Sequence, residues 1–303
     1  MDQLITILGP TASGKTALAA NLASLLNGEI ISADSRQIYR GMDIGTGKDI
    51  GDYQVDGKQI PYHLIDILEP GTRYNVFEFM SEFTNSFNMI NRNKKLPILC
   101  GGSGMYLDAV LRGYQMNKVC ENVELREKCR LLSVEELVGK LSSFGPLHNI
   151  SDVTDKDRLI RAIEIAEYQS QNHDTVVNLP KFNSTNFGIS HDRIVLRSRI
   201  TERLKIRLSE GMVDEIQELL SRGIKPEELI YYGLEYKFVT MYVIGQISYE
   251  DMFTQLNTAI HQFAKRQMTW YRRMEKKGVK IHWIDGSIDL NDKLAVILNE
   301  VNF

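Results

Sequence analysis

The stretch Leu4-Ile5-Thr6-Ile7-Leu8-Gly9-Pro10-Thr11-Ala12-Ser13-Gly14-Lys15-Thr16 decides the fold. Its first five residues form a β-branched apolar run stopped by Gly9-Pro10, the pattern of a buried strand entering a turn. From Lys15 to Leu26 the apolar residues Leu18, Leu22, Leu25 and Leu26 recur at helical spacing. Gly9 to Thr16 fits G-x-x-x-x-G-K-[ST] in the setting this motif requires, after a strand and before a helix. Such a match arises by chance in roughly one chain in a hundred of this length. The glycines let backbone N–H groups converge on an anion, the helix start adds its dipole, Lys15 adds a charge and Thr16 offers a hydroxyl to Mg²⁺.

Outward from this loop the pattern repeats. Glu29 to Ala33 reads as a second short strand, and Leu96 to Cys100 as a third that runs into Gly101-Gly102-Ser103-Gly104 and a helix-like stretch, Met105 to Leu111. Strand, turn, helix in this order predicts an α/β fold: a P-loop NTPase-like parallel sheet core flanked by helices, with ligands at the carboxyl ends of the strands. One more strand is expected between Ile194 and Ile200. From about Tyr114 to Ser190 strand signals give way to amphipathic stretches such as Val123 to Leu132 and Asp157 to Tyr168. The expected division is therefore a catalytic core of residues 1–113 and 191–303, with 114–190 as a helical insertion domain. After Arg199 helical patterns run to Lys277, broken by Gly223, Pro226, Gly233 and Gly245.

The chain has 303 residues, 43% apolar and 25% charged, so it can bury a full core, and no apolar run approaches membrane-helix length. Thirty-six basic against 39 acidic residues give a net charge of -3, which taken alone argues against a nucleic-acid binder. The average hides a local concentration. His261 to Lys280 holds Lys265, Arg266, Arg272, Arg273, Lys276, Lys277 and Lys280 against Glu275, with Phe263, Trp270 and Tyr271 interleaved. A second basic stretch comprises Arg193, Arg197, Arg199, Arg203, Lys205 and Arg207. Basic side chains with aromatics suit a phosphate backbone and unstacked bases, although a charge run is usually a solvated helix face. Cys100, Cys120 and Cys129 lack metal or disulfide spacing, and no histidine has zinc-ligand spacing. The amino terminus shows no export leader, so the expected compartment is the cytoplasm. With no apolar stripe evidently unburied, a monomer is expected.

Phosphate-loop hydrolases usually carry a strand ending in an Asp that positions Mg²⁺ and water. Here that strand ends in Cys100, and Asp66 in His63-Leu64-Ile65-Asp66-Ile67 is either a substitute or a turn cap. A loop holding a diphosphate as leaving group fits better than an ATPase or GTPase. Asp34, in Ser32-Ala33-Asp34-Ser35-Arg36-Gln37, emerges on the same sheet edge as the loop. It reads as a general base or base-edge acceptor, or equally as a helix N-cap.

Together these segments resemble the tRNA dimethylallyltransferases (tRNA isopentenyltransferases). The resemblance is carried in order by GPTASGKT from Gly9, SADSRQIYRGMDIGTGK from Ser32, YHLIDI from Tyr62, GGSGMYL from Gly101, DRLIRAIE from Asp157, RLKIRLSEGMVDEI from Arg203 and AKRQMTW from Ala264. It implies transfer of the dimethylallyl group of dimethylallyl diphosphate to N6 of the adenosine immediately 3′ of the anticodon, in tRNAs that read codons beginning with U, with release of diphosphate. It implies an insertion that closes over the tRNA anticodon stem-loop. By matching position, Asp34 is the base that receives the N6 proton. Gly9, Pro10, Thr11, Ala12, Ser13, Gly14, Lys15 and Thr16 are the diphosphate cradle, with Thr16 on Mg²⁺, and Arg203 is a second diphosphate clamp. Asp34, Ser35, Arg36 and Gln37, together with Ser103, Asp157, Arg158, Leu159, Ile160, Arg161, Lys265 and Arg266, fall on tRNA-contact segments. The chain differs from the family at Gly233-Leu234-Glu235-Tyr236-Lys237, which reads as a two-residue insertion, and at Ile260-His261, where Thr-Arg is usual. The competing readings are an adenylate isopentenyltransferase acting on free AMP or ATP, a P-loop small-molecule kinase, and a nucleic-acid-binding module without catalysis.

Overall fold

Residues Leu4 to Leu8 are buried throughout strand β1 (Asp2–Leu8), as expected for a strand covered on both faces of a parallel sheet. In a computed structural model, residues 2–145, 155–171 and 178–301 are described. They fall into two units, Met1–Tyr114 with Leu179–Phe303, and Gln115–Asn178.

The first unit continues from β1 with α1 (Lys15–Leu25), β2 (Gly28–Ser32), a two-stranded hairpin of β3 (Gln54–Val55) and β4 (Lys58–Gln59), and β5 (Tyr62–His63). Helix α2 (Val76–Arg92), β6 (Leu96–Gly101) and α3 (Gly104–Leu111) complete its first part. Asn75 caps α2 in a reciprocal capping box with Glu78, and Phe79, Phe83, Phe87 and Ile90 form its buried face. The second unit holds α4 (Val123–Arg130), α5 (Val134–Ser142) and α6 (Lys156–Gln171) around Leu125, Cys129, Leu137, Leu159, Ile160 and Ile163. The first unit then resumes with β7 (Phe182–Ser190), α7 (Arg193–Ser209), α8 (Met212–Ser221), α9 (Pro226–Tyr231), α10 (Leu234–Val243), α11 (Tyr249–Lys276), β8 (His282–Asp285) and α12 (Leu290–Glu300).

The main sheet has the order β5-β2-β6-β1-β7-β8, and every pairing is parallel. Ile5 pairs with Ile98 and Ile30 with the same Ile98, so β1 and β2 flank β6 and end on one edge. Leu18, Leu22, Ile30, Ile98, Phe187 and Ile297 fill the core on the α1 side. A second core under the later helices joins Tyr39, Met42, Leu204, Ile216, Tyr236 and Leu256.

Two expectations are corrected here. Residues 194–200 are helix. Asp192 caps Ile194 N, Ile194 is 79% exposed, and the buried positions Ile200, Leu204 and Arg207 follow helical spacing. Residues 182–190 are a strand of the main sheet, so the helical unit ends at Asn178 and not at 190. Asn183, Ser184 and Asn186 have weak strand propensity, but their backbones pair along β1 from Gln3 to Thr6, and Asn186 Nδ2 donates to Lys280 O at 3.0 Å. None of the helices among the described residues is long and apolar enough to cross a membrane.

Candidate functional site: a phosphate loop beside a carboxylate

Gly9 to Gly14 carry the chain from β1 into α1 with two residues in left-handed conformation, Ala12 at φ 61° and Gly14 at φ 84°. A left-handed alanine is strained, and strain of this kind is held where surrounding contacts over-determine the backbone. Those contacts are present. Gln267, buried on α11, accepts from Thr11 N at 2.9 Å and donates to Gly102 O at 2.8 Å. Tyr271, one turn on, donates its hydroxyl between Gly9 O at 3.1 Å and Gly102 O at 3.2 Å. His191 Nε2 donates to Ser13 O at 3.2 Å, and Arg199 Nε to Ala12 O at 2.9 Å. A Cβ at Gly9 would lie 2.7 Å from Ser13 Oγ and 3.1 Å from Ile189 O, so glycine alone permits this approach.

Inside the cradle Ser13 Oγ is buried and has no hydrogen-bond partner among the described residues, as expected of a group kept for a ligand. Burial pushes the Lys15 ammonium below its ordinary value and Arg203 adds to the fall, while Asp34 and Asp49 oppose it. An arriving anion would relieve the same deficit. Burial also raises the Cys100 thiol to about 12, so it stays protonated and is no substitute for a metal-positioning carboxylate. Nor is Asp66 free to play that part. Its carboxylate is bound by the buried Lys48 ammonium, which also donates to Asp43 at 2.7 Å and to Tyr39 O at 2.5 Å.

Asp34 follows β2 on the edge where β1 delivers the loop. It caps no helix. Oδ1 accepts from Arg36 N at 2.9 Å in a local turn, and its other oxygen has no hydrogen bond among the described residues. The neighbouring residues are fixed in turn: Ser35 N donates to Ser103 Oγ at 3.0 Å, and Gln37 Nε2 to Gly47 O at 2.9 Å. Asp49 joins two guanidinium groups, Arg203 and Arg207, the second at 3.5 Å. Its loop is anchored by Glu215, which accepts from the backbone N–H groups of Asp43, Ile44 and Gly45 and from Tyr236 Oη. Arg203, Arg207 and Glu235 share a small cavity with Thr11 and Ala12.

Of the residues read from sequence, the structure thus gathers the phosphate loop, Asp34, Ser35, Arg36, Gln37, Ser103 and Arg203 in the first unit. Lys265 and Arg266 are exposed on α11, with Arg272, Arg273 and Lys276 along the same helix and Lys277 at its C-cap. Ile260 is buried, and His261 Nε2 donates to Arg197 O at 3.2 Å. Burial lowers the imidazole below its ordinary value, which disfavours a positive charge at this position. In the second unit Asp157 and Arg158 are exposed and Arg161 is tied to Glu164 at 3.0 Å. Leu159 and Ile160, at 0% and 2% exposure, turn their side chains into the core of this unit. Gln267, Tyr271, His191, Arg199, Asp49 and Glu215 lay outside the sequence reading as site residues. Gln267 stands in the AKRQMTW run, and that was its only signal.

The fold and site define a P-loop-like α/β protein whose phosphate loop lies on the same sheet edge as a carboxylate. The chain belongs to the IPP transferase family, whose model matches residues 37–274. It is 57% identical to tRNA dimethylallyltransferase 1 of Parabacteroides distasonis, over 99% of this chain and 98% of that protein. Identity to tRNA dimethylallyltransferase 2 of Bacteroides fragilis is 56%, over 97% and 96%. Among solved structures, a full-length tRNA isopentenylpyrophosphate transferase from Bacillus halodurans matches with TM-score 0.71 at 31% identity, over 99% of this chain and 95% of that one. A eukaryotic dimethylallyltransferase captured acting on tRNA shares the fold, with TM-score 0.77 at 22% identity over 99% and 78%.

Proposed function

We propose that this chain transfers the dimethylallyl group from dimethylallyl diphosphate to N6 of the adenosine immediately 3′ of the anticodon, in tRNAs that read codons beginning with U. The observation that carries this reading is the partly unengaged Asp34 carboxylate on the same sheet edge as the strained, anion-seeking phosphate loop. The allylic carbon–oxygen bond breaks, the new bond forms to N6, and the N6 proton passes to Asp34. An exocyclic amine is a poor nucleophile, and a base placed to take its proton contributes about 10² to 10⁴ in rate. The departing diphosphate is met by the loop N–H groups, Ser13 Oγ, Lys15 and Arg203, the larger electrostatic contribution.

The donors fit Mg²⁺, which takes one or two protein oxygens and completes its shell with phosphate oxygens and water. Thr16, in the first turn of α1, would supply the hydroxyl, and no cluster of three acidic or imidazole ligands occurs among the described residues. Bound there, the ion would neutralise charge on the diphosphate.

For tRNA, the exposed basic face of α11 supplies charge where the chain average of -3 does not. Arg266 lies over Phe263 and Arg273 over Trp270, a pairing suited to RNA. Ser35, Arg36, Gln37 and Ser103 beside Asp34, and Asp157, Arg158 and Arg161 of the second unit, complete the proposed contacts. A cytoplasmic monomer suits this activity. Alanine at Asp34 tests it: Asp34→Ala is expected to abolish labelled allyl transfer to unmodified tRNA while sparing most tRNA affinity. Transfer within a few-fold of wild type would remove Asp34 from its role.

A further inference from the structure

We infer that Arg36, Tyr231 and Arg73 form a grip for the RNA phosphodiester backbone next to the reacting nucleotide. Tyr231 ends α9 and is 53% exposed. Two guanidinium groups from separate loops lie over its ring, Arg36 at 5.6 Å and Arg73 at 5.4 Å from the centroid. Among the described residues neither has a carboxylate within ion-pair distance, unlike Arg40, which Glu69 meets at 2.8 Å, or Arg207 with Asp49. The nearby Glu78 carboxylate is already held by Asn75 N at 2.9 Å. Two like charges are thus brought to one neutral ring with no direct ion pair on either; the other acid of the neighbourhood is Glu228, one turn before Tyr231 on α9 and beside the Gly71 turn.

The cluster is also preorganised. Tyr232, next to Tyr231, accepts from Gly71 N at 2.6 Å and donates to Thr72 O at 3.0 Å, which fixes the loop that presents Arg73. Its ring packs on Tyr39 at 4.5 Å, which fixes the segment that presents Arg36. Planar guanidinium forks held in place match phosphate oxygens in geometry and charge. The ligand source follows from position. Arg36 is bonded through its own N–H to Asp34, so a nucleotide presenting its base to Asp34 carries its flanking phosphates past this cluster. The inference rests on the tRNA reading above.

The test uses the full chain, unmodified tRNA and dimethylallyl diphosphate. Arg73→Ala is expected to weaken tRNA binding uniformly across tRNA sequences and to lower the slope of log affinity against log salt by about 1. Tyr231→Ala is expected to follow it, and Tyr231→Phe, which keeps the ring, to retain most of the slope. The loss should appear in KM for tRNA and not in dimethylallyl diphosphate affinity. Wild-type slope and tRNA affinity in Arg73→Ala would overturn the inference. So would a loss confined to dimethylallyl diphosphate, which would assign the cluster to the free diphosphate. If wild type neither binds nor labels tRNA, the functional reading fails first and the grip with it, a result separable from the other two.

Discussion

Replacing Gln267 with methionine removes the clasp between α11 and the phosphate loop while keeping the side chain's length. Two backbone groups lose a partner, and they are not equivalent. Gly102 O keeps the Tyr271 hydroxyl at 3.2 Å, whereas Thr11 N has no other hydrogen bond among the described residues. A fully buried orphaned donor costs about 1–3 kcal/mol; Thr11 N is only part-buried and the carbonyl stays partly satisfied, so the total expected is about 1–2 kcal/mol. At about 2–4 °C per kcal/mol, Tm falls by several degrees. The functional effect should be larger in proportion. Thr11 N belongs to the loop whose Ala12 is held at φ 61°, and a displacement of about 1 Å at such a site costs on the order of 10²-fold in rate. Thermal denaturation, dimethylallyl diphosphate affinity and kcat/KM would be measured together. Wild-type diphosphate affinity and rate at a lowered Tm would refute the argument that α11 holds the loop in working geometry.

Gly47→Ala is expected to lower diphosphate affinity and Tm together. Its φ is 68°, and a Cβ would lie 1.9 Å from Arg207 Nη2 and 2.9 Å from Arg203 Nη2, so the guanidinium pair must move, in addition to about 1–2 kcal/mol of left-handed strain. In the second unit, burial alone would raise Glu164, but bonds from Arg126, Asn122 N and Arg161 hold it down at about 2 against an ordinary 4.5. The stabilisation, on the order of 3 kcal/mol, is complete above about pH 4.5 and is lost as pH falls toward about 2. Glu164→Gln should flatten acid unfolding of the helical unit over that window, followed by a probe placed within it; an unchanged acid transition would contradict the assignment.

The phosphate loop and the strands around it were legible because their chemistry is local: a continuous apolar run, a turn, glycines at fixed offsets and a lysine. Asp34 could be placed because parallel strands end on a common edge. What was not legible depends on tertiary pairing. Asn183 to Asn186 become strand because β1 supplies a ladder, and Ile194 and Val195 are β-branched yet sit exposed on a helix capped by Asp192. Leu159 and Ile160 lie in a segment read as tRNA-contacting, but helical periodicity turns two of its five residues inward. Gln267 and Glu215 act on loops 256 and about 170 residues away in sequence, a separation at which no local pattern operates. The family departure at Leu234 to Lys237 begins helix α10, whose Tyr236 packs in the second core and braces Glu215.

The most direct measurement sets unmodified tRNA beside AMP in one assay with Mg²⁺ and labelled dimethylallyl diphosphate. Label is expected on N6 of the tRNA adenosine, with release of one diphosphate per transfer, and little or none on AMP. Label on AMP but not on tRNA would contradict the proposed activity.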